Sequence, residues 1–337
     1  MTNTLQAQAA AGDVAAQIAL ARQYEGGAKN ELARGWFSRV AKAGDVAALR
    51  MLAINLLVRT PSNVPEGIGM IRAAAERGDA EAAHLCAVLA AQDTQLTGKW
   101  DIAFDYLRGA AERGHAPARE QLRLLSDGAP IDMARWLTPA RARPLSEAPR
   151  IAVAEGFASA AECDWLIARA RPELHAAKVY DPQGGGGFLA EDIRSNSTAS
   201  FNIAEQDVVM TLLRERAAQW TGLSTDHFEP LSVLHYAVGQ QFAQHYDFID
   251  PENPQLAPDL RLHGQRWATL LVYLSDDFAG GETDFPELGL RYRGAKGDAL
   301  LFWNVTSDGM PDIKTLHAGL APTRGEKWLL SQWMRRR

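Results

Sequence analysis

The sequence predicts an α+β protein in which an N-terminal all-α helical-repeat solenoid is followed by a double-stranded β-helix, or jelly roll. An Ala-rich pattern recurs every 32 to 36 residues in the first third of the chain, as in helical-hairpin solenoids. Short β-rich runs separated by Gly, Pro and Asp turns fill the chain beyond Leu231. We therefore predict helical repeats over residues 1–125, a Pro-containing linker over 126–149 and the β-rich domain over 150–337.

Four glycines mark the repeat, at successive steps of 32, 34 and 36 residues: Gly12, Gly44, Gly78 and Gly114. We expect each of them to end a helix in the left-handed conformation, before a tight turn and a second helix. A large side chain stands eight residues before each of the last three glycines, and we expect these side chains to fill the space between layers: Trp36, Met70 and Tyr106. The pattern resembles Sel1-like repeats, which are relatives of the tetratricopeptide repeat.

The second part of the chain predicts mainly short strands. We predict helices over residues 158–170, capped by Ser159, and 207–220. The predicted strands are 151–153, 231–236, 242–246, 268–274, 290–292, 299–303, 314–316 and 328–333. The run of four glycines at 184–187 lacks the Lys-Ser/Thr that a phosphate-binding loop requires, so we interpret it as a flexible loop.

The composition argues against several classes of partner. The formal net charge of -6 gives no reason to expect nucleic-acid binding, and we interpret the terminal Arg335-Arg336-Arg337 as a solvated tail. Cys86 and Cys163 do not make a disulfide framework, which favours a reducing cytoplasm. The sequence shows no signal-peptide pattern, and no stretch approaches the roughly 20 apolar residues that span a bilayer. We expect a cytoplasmic protein with neither a nucleic-acid nor a membrane partner.

The pattern His245-Tyr246-Asp247, with His317 seventy residues later, predicts an iron site. Residues i and i+2 of a strand point to the same face, so His245 and Asp247 can reach one ion. Two imidazoles and one carboxylate occupy three positions on one side of Fe(II) and leave the others open for a co-substrate and dioxygen.

A lysine follows the second histidine by ten residues and enters an apolar strand. A buried charge must be paired, so Lys327 requires an anionic partner. The distal carboxylate of an acidic co-substrate would provide one.

The motifs around these residues strengthen the interpretation. They are GGETDFP at 280–286, GDALLFW at 297–303, LHAG at 316–319 and GEKW at 325–328. In this order and spacing they resemble the prolyl 4-hydroxylase family of 2-oxoglutarate- and Fe(II)-dependent dioxygenases. The resemblance covers roughly residues 150–335.

The resemblance implies an activity and roles for further residues. Lys327 would bind the distal carboxylate of 2-oxoglutarate, and the hydroxyl of Tyr236 would donate a hydrogen bond to the co-substrate. The substrate peptide would be held by Glu229, Arg266 and Trp333. Fe(2+), 2-oxoglutarate and O2 would serve 4-hydroxylation of prolyl residues in a peptide or protein, with succinate and CO2 as co-products and L-ascorbate as reductant. Phe242 departs from the family, whose members often carry a tyrosine there.

Two other functions remain open at this point. The enzyme could hydroxylate a free amino acid or small metabolite, although a solenoid more often binds polypeptides. Alternatively, the protein could be a repeat-based adaptor with an inactive barrel, although the complete set of His245, Asp247, His317 and Lys327 argues against that.

Overall fold

The computed structural model describes residues 2–25, 27–59, 62–126, 130–177, 179–180, 188–189 and 194–336, so the glycine run at 184–187 lies outside the described residues. The chain divides into two compact units. The first comprises Met1–Ile131 with Asn202–Thr211, and the second comprises Asp132–Phe201 with Leu212–Arg337.

The first unit is built from antiparallel helical hairpins. Its helices are α1 (Thr2–Ala10), α2 (Val14–Tyr24), α3 (Asn30–Lys42), α4 (Val46–Val58), α5 (Val64–Glu76), α6 (Ala80–Gln92), α7 (Lys99–Glu112) and α8 (Ala116–Ser126). The predicted helical-repeat solenoid is confirmed. Among the described residues, no helix is both long and apolar enough to cross a membrane.

The repeated glycines make the turns between helices, as predicted. The φ angles of Gly12, Gly44, Gly78 and Gly114 are 97°, 103°, 95° and 96°, which residues with a side chain rarely adopt. After the second glycine, Asp45 caps the next helix by accepting a hydrogen bond from the backbone N–H of Ala48 at 2.7 Å. Asp13 and Asp79 do the same in their repeats, whereas His115 Nδ1 replaces the carboxylate in the last one.

Two of the three predicted residues, Trp36 and Met70, pack against a buried cluster of the solenoid that contains Phe37 and Leu56. Trp36, Met70 and Tyr106 are only half-buried. The next residue of each helix is fully buried instead: Phe37, Ile71 and Leu107. One residue turns a helix by about 100°, so a shift of one position moves a side chain from the interior to the boundary of the helix face.

The second unit contains helices and sixteen described strands. Its helices are α9 (Met133–Leu137), α10 (Ala160–Ala170), α11 (Val208–Thr221, whose first residues belong to the first unit) and α12 (Ala257–His263). The strands are β1 (Ala142–Glu147), β2 (Arg150–Ala154), β3 (His175–Ala176), β4 (Val179–Tyr180), β5 (Phe188–Leu189), β6 (Ser197–Phe201), β7 (Leu231–Tyr236), β8 (Phe242–His245), β9 (Gln265–Tyr273), β10 (Ala279–Gly280), β11 (Thr283–Phe285), β12 (Leu290–Tyr292), β13 (Ala299–Trp303), β14 (His317–Gly319), β15 (Pro322–Arg324) and β16 (Lys327–Arg336).

Two sheets enclose the core of this unit. The larger has the order β1-β2-β13-β9-β16-β7-β6-β3 and the smaller has the order β12-β11-β14-β8. Tyr236, Tyr273 and Phe302 from the larger sheet form one buried cluster with Phe285 from the smaller. Two sheets that pack their apolar faces together confirm the predicted jelly roll.

Most local predictions for this unit agree with the structure, and one is wrong. Helix α10 begins with the expected cap, in which Ser159 and Glu162 form a capping box. The strand predicted at 314–316 is instead a 3-10 turn, because the Asp312 carboxylate accepts the backbone N–H of Lys314 at 3.0 Å. The strand therefore begins at His317.

The segment 126–149, interpreted from sequence as a linker, contains regular structure. It includes α9 and β1, and β1 is the edge strand of the larger sheet, paired antiparallel with β2. Trp136 in α9 is buried, and its carbonyl accepts a hydrogen bond from Arg216 Nε at 2.8 Å.

Candidate active site

Two adjacent strands of the smaller sheet bring together His245, Asp247 and His317. Strands β8 and β14 pair antiparallel with His317 opposite His245, and Asp247 follows two residues after His245. One ligand atom from each of the three side chains lies within 4.8 Å of the others. Strand pairing thus makes a compact ligand set from residues that are distant in sequence.

Backbone carbonyls orient both imidazoles. His245 Nδ1 lies 2.8 Å from the carbonyl oxygen of Ala243, and His317 Nδ1 lies 3.0 Å from that of Thr315. Because a carbonyl only accepts, each Nδ1 carries the proton and each Nε2 keeps its lone pair. Both Nε2 atoms lie 3.6 Å from an oxygen of Asp247.

The charge states of this cluster suit a cation. Burial lowers the pKa of His245 to about 3, with His317 adding to the effect, so its imidazole is neutral at physiological pH. Burial raises the pKa of Asp247, but the histidines and the hydrogen bond from Thr269 outweigh it and leave the pKa below its ordinary value. A neutral imidazole and an ionised carboxylate are the forms that bind a metal ion, so these residues fit Fe(2+).

Two buried polar side chains behind Asp247 were not identified from the sequence. Thr269 Oγ1 donates to Asp247 Oδ2 at 2.7 Å, and Asn304 Nδ2 donates to Thr269 Oγ1 at 3.0 Å. A threonine in an apolar strand and an asparagine after a strand carry no sequence signal for this role, since the contacts join residues from three separate segments.

A cavity of about 340 Å³ contains these ligands, and Lys327 lines it. Lys327 is fully buried, and within the described residues its Nζ has no hydrogen-bond partner. Burial lowers the pKa of Lys327 to about 7, although Glu282 partly opposes the shift. An unpaired buried ammonium group is costly, so the site fits an anionic ligand beside the metal position.

The GGET motif makes room for this lysine. Gly281 has a φ of 70°, and a Cβ atom at this position would lie 3.0 Å from the Phe278 ring and 3.3 Å from Lys327 Cδ. A side chain at residue 281 would therefore crowd Lys327 and displace it within the cavity.

Tyr236 lies beside Lys327 and also lines the cavity. The two residues are opposite each other on β7 and β16, and Lys327 Nζ is 4.9 Å from the centre of the tyrosine ring. Burial raises the pKa of Tyr236 to about 12, with Arg194 opposing, so the phenol keeps its proton and can donate a hydrogen bond.

Arg194 is a further cavity residue that the sequence did not indicate. Its guanidinium lies 4.5 Å from the centre of the Phe242 ring, and Phe242 stacks on His245 with 3.5 Å between ring centres. Arg194 Nε also donates to Asn196 Oδ1 at 3.0 Å. Phe242 thus separates an arginine from a candidate metal ligand, although it lacks the tyrosine hydroxyl common in the resembling family.

The three predicted peptide-binding residues form one network. Arg266 Nε and Nη2 donate to the Glu229 carboxylate at 2.6 Å and 2.9 Å, and the Arg266 guanidinium lies 3.6 Å from the centre of the Trp333 ring. Trp333 lines the metal cavity, whereas Glu229 and Arg266 are not among its lining residues. Of the three residues, Trp333 thus lines the cavity, while Arg266 Nη1 donates to the backbone carbonyl oxygen of Asp247 at 3.4 Å.

The same network corrects the interpretation of the C-terminal arginines. Arg335 is buried in β16 rather than part of a solvated tail. Its Nε donates to Glu229 at 2.6 Å and its Nη1 donates to Asp259 at 2.8 Å. A basic run is exposed only where its charges lack partners, and here two carboxylates from other segments neutralise Arg335.

His235 lies apart from the cavity, as expected. Its ring packs against Trp328 with 4.3 Å between centres, and its Nε2 is 3.3 Å from a carboxylate oxygen of Glu326. It is not a lining residue of the metal cavity.

Comparisons with known proteins agree with this geometry. The model of the 2OG-Fe(II) oxygenase superfamily matches residues 231–335. The chain is similar to probable prolyl 4-hydroxylase 3 of Arabidopsis thaliana, with 36% identity over 211 residues, which cover 56% of this chain and 70% of that protein.

Two solved structures are also similar to the chain. A viral collagen prolyl hydroxylase from Paramecium bursaria chlorella virus-1, in a 2OG complex, is 29% identical with a TM-score of 0.43 and covers 56% of this chain and 96% of its own. A Sel1 repeat protein from Oxalobacter formigenes is 23% identical with a TM-score of 0.31 and covers 36% of this chain and 54% of its own.

The identity of 36% extends over most of the plant relative, and the superfamily match spans the strands that carry His245, Asp247 and His317. The chain belongs to the prolyl 4-hydroxylase family of 2-oxoglutarate- and Fe(II)-dependent oxygenases.

Proposed function

We propose that this protein hydroxylates prolyl residues of a peptide or protein at the 4-position, in the manner of a procollagen-proline 4-dioxygenase. It uses Fe(2+), 2-oxoglutarate and O2, releases succinate and CO2, and takes L-ascorbate as reductant. The observation that carries the proposal is one cavity that combines a three-residue ligand set with the unpaired, buried Lys327. The plant relative is named a probable prolyl 4-hydroxylase, which supports proline as the target.

Different residues of the cavity bind the metal and the co-substrate. His245, Asp247 and His317 would hold Fe(2+), a ligand set typical of iron sites that also bind a co-substrate and dioxygen. Lys327 neutralises the distal carboxylate of 2-oxoglutarate, and the protonated Tyr236 hydroxyl donates a hydrogen bond to it. Bound Fe(2+) with 2-oxoglutarate and O2 supplies the oxidising power for C–H hydroxylation. Asp247 and His317 are buried, which limits the access of bulk water to their side of the site.

Trp333 is the residue best placed to meet the substrate. Its ring lines the cavity, and an indole face can pack against a proline ring. Arg266 stacks on Trp333 and Glu229 fixes Arg266 through two hydrogen bonds. We therefore assign Trp333 to substrate contact and propose that Glu229 and Arg266 act by positioning it.

The helical repeats support a protein substrate. Solenoid surfaces commonly bind extended polypeptides, so we propose that the repeats hold part of the target protein. If the repeats prove not to bind the target protein, the assignment of the chemistry at the metal is unchanged.

The test is direct hydroxylation by the full-length protein. Purified protein with Fe(2+), 2-oxoglutarate and ascorbate should add one oxygen atom to proline in short peptides, seen by mass spectrometry, with matching succinate release. Asp247→Ala should abolish both products, and His235→Ala is the matched control outside the cavity. Efficient turnover of free proline or another small metabolite, with no reaction on peptides, would overturn the peptide assignment.

A further inference from the structure

A second cleft in the same unit combines arginines with tryptophans. It has a volume of about 590 Å³ and lies where β9, β13 and β16 approach the end of α11. The residues that matter here are Arg150, Arg336, Trp267, Trp303 and His227. We call it the Arg–Trp cleft.

Each of two exposed arginines lies over a tryptophan. The Arg150 guanidinium carbon is 3.9 Å from the centre of the Trp303 ring, and that of Arg336 is 4.3 Å from the centre of the Trp267 ring. Stacking on an aromatic face fixes the plane of a guanidinium and leaves its N–H groups free at the edge. Those groups match the two oxygens of a carboxylate.

The described part of the chain provides no counter-charge for two arginines of the Arg–Trp cleft. Among the described residues, neither Arg150 nor Arg336 forms an ion pair, and none of the residues that line the cleft is Asp or Glu. Arg335 also lines it, but Glu229 and Asp259 already neutralise that guanidinium. Two preoriented cations are therefore available to an external anion.

A third cavity shares lining residues with both the Arg–Trp cleft and the metal cavity. Pro230 lines both the metal cavity and an intermediate cavity of about 510 Å³, while His227 and Arg335 line both the intermediate cavity and the Arg–Trp cleft. On β16, Trp333 of the metal cavity and Arg336 of the cleft are three residues apart, and an odd step along a strand points their side chains to opposite faces of the sheet. An extended substrate would therefore pass from the metal cavity to the cleft by way of the intermediate cavity, and at ~3.5 Å per residue the cleft would hold side chains several residues from the target proline.

We propose that the Arg–Trp cleft binds Asp or Glu side chains of the peptide substrate, several residues from the proline that is hydroxylated. This inference rests on the proposed function for its peptide substrate. A nucleic acid is a poorer occupant, because the protein carries a net charge of -6 and long polyanions bind to surfaces with an extended basic character.

The experiment measures peptide binding to the full-length protein by fluorescence anisotropy. Two labelled peptides of equal length contain one central proline and, five residues away, either three Glu or three Gln. The Glu peptide should bind about tenfold more tightly, and the double variant Arg150→Gln/Arg336→Gln should remove that preference. Arg324→Gln, an exposed arginine outside the cleft, is the matched control. Raising the ionic strength should also reduce the preference.

A third peptide separates this inference from the proposed function. It carries the three Glu residues but has Ala in place of proline. If it binds in an Arg150- and Arg336-dependent manner while no proline peptide is hydroxylated, the cleft assignment stands and the proposed function fails. Equal binding of Glu and Gln peptides to the wild type would overturn the inference, as would an equal loss of both in the double variant.

Discussion

The hydroxyl of Thr269 donates a hydrogen bond of 2.7 Å to Oδ2 of Asp247. Asn304 Nδ2 in turn donates to the Thr269 oxygen at 3.0 Å. All three side chains are buried, with exposed fractions of 1% for Thr269, 3% for Asp247 and 0% for Asn304. A carboxylate fixed in this way presents its free oxygen to the metal in one orientation.

Thr269→Val should therefore weaken metal binding while preserving side-chain volume. Loss of a partner that orients a metal ligand typically costs about 10–100-fold in affinity. Mn(2+) binding measured by isothermal titration calorimetry, in the absence of O2, checks this without relying on turnover. Thr269→Ser retains the hydroxyl and should bind nearly as the wild type does. Wild-type affinity in the valine variant would show that Asp247 needs no support from Thr269.

Asp247→Ala should remove metal binding altogether. The two histidines alone offer only two neutral nitrogens to a dication, and no other group of three His, Cys, Asp or Glu residues suited to a metal ion occurs among the described residues. Circular dichroism should show the helical repeats unchanged. Succinate production at the wild-type rate would exclude the proposed ligand set.

Lys327→Ala should raise the dissociation constant for 2-oxoglutarate far more than that for metal. Removing one partner of a buried charge pair typically costs about 3–5 kcal/mol, which corresponds to about 100-fold to 4,000-fold in affinity. Lys296→Ala is the control, because Lys296 pairs with Asp164 on the surface. An unchanged constant would mean that another cation, such as Arg266 or Arg293, binds the distal carboxylate.

The affinity for 2-oxoglutarate should fall as pH rises. Burial lowers the pKa of Lys327 to about 7, so the ammonium form that binds a carboxylate is present below this pH and is lost above it. Between about pH 7 and 9 the dissociation constant should rise by up to about tenfold per pH unit. Lys327→Arg stays charged throughout this range and should give a flatter profile. An equally steep profile in that variant would assign the titration to a different group.

A chain shortened to residues 132–337 should hydroxylate short proline peptides but lose its preference for the intact target protein. Binding energy remote from the reacting proline would be missing. The shortened chain begins at Asp132 because Trp136 and strand β1 belong to the second unit. Equal activity of both chains on the intact target would remove the repeats from substrate binding, and an insoluble product would indicate that they chiefly stabilise the second unit.

The sequence alone determined the features that depend on local spacing. Glycines near a 34-residue period predicted the solenoid turns, because only a residue without Cβ adopts their positive φ readily. The two-residue step between His245 and Asp247 predicted that both reach one metal ion, and they do lie together, although β8 ends at His245 and Asp247 follows the strand. The entry of Lys327 into an apolar strand predicted a buried lysine that needs an anionic partner, and its Nζ is buried with no hydrogen-bond partner among the described residues.

Only the tertiary structure decided the contacts between distant segments. Strand pairing sets His317 opposite His245, although the strand that carries His317 was predicted three residues too early, at 314–316 instead of His317–Gly319. The packing of separate elements sets the positions of Thr269, Asn304 and Arg194. Arg335 was expected to be exposed to solvent, but it is buried because it donates hydrogen bonds to Glu229 and Asp259. Local periodicity specifies which face of an element is buried, but the partner of a buried polar group depends on which elements meet there.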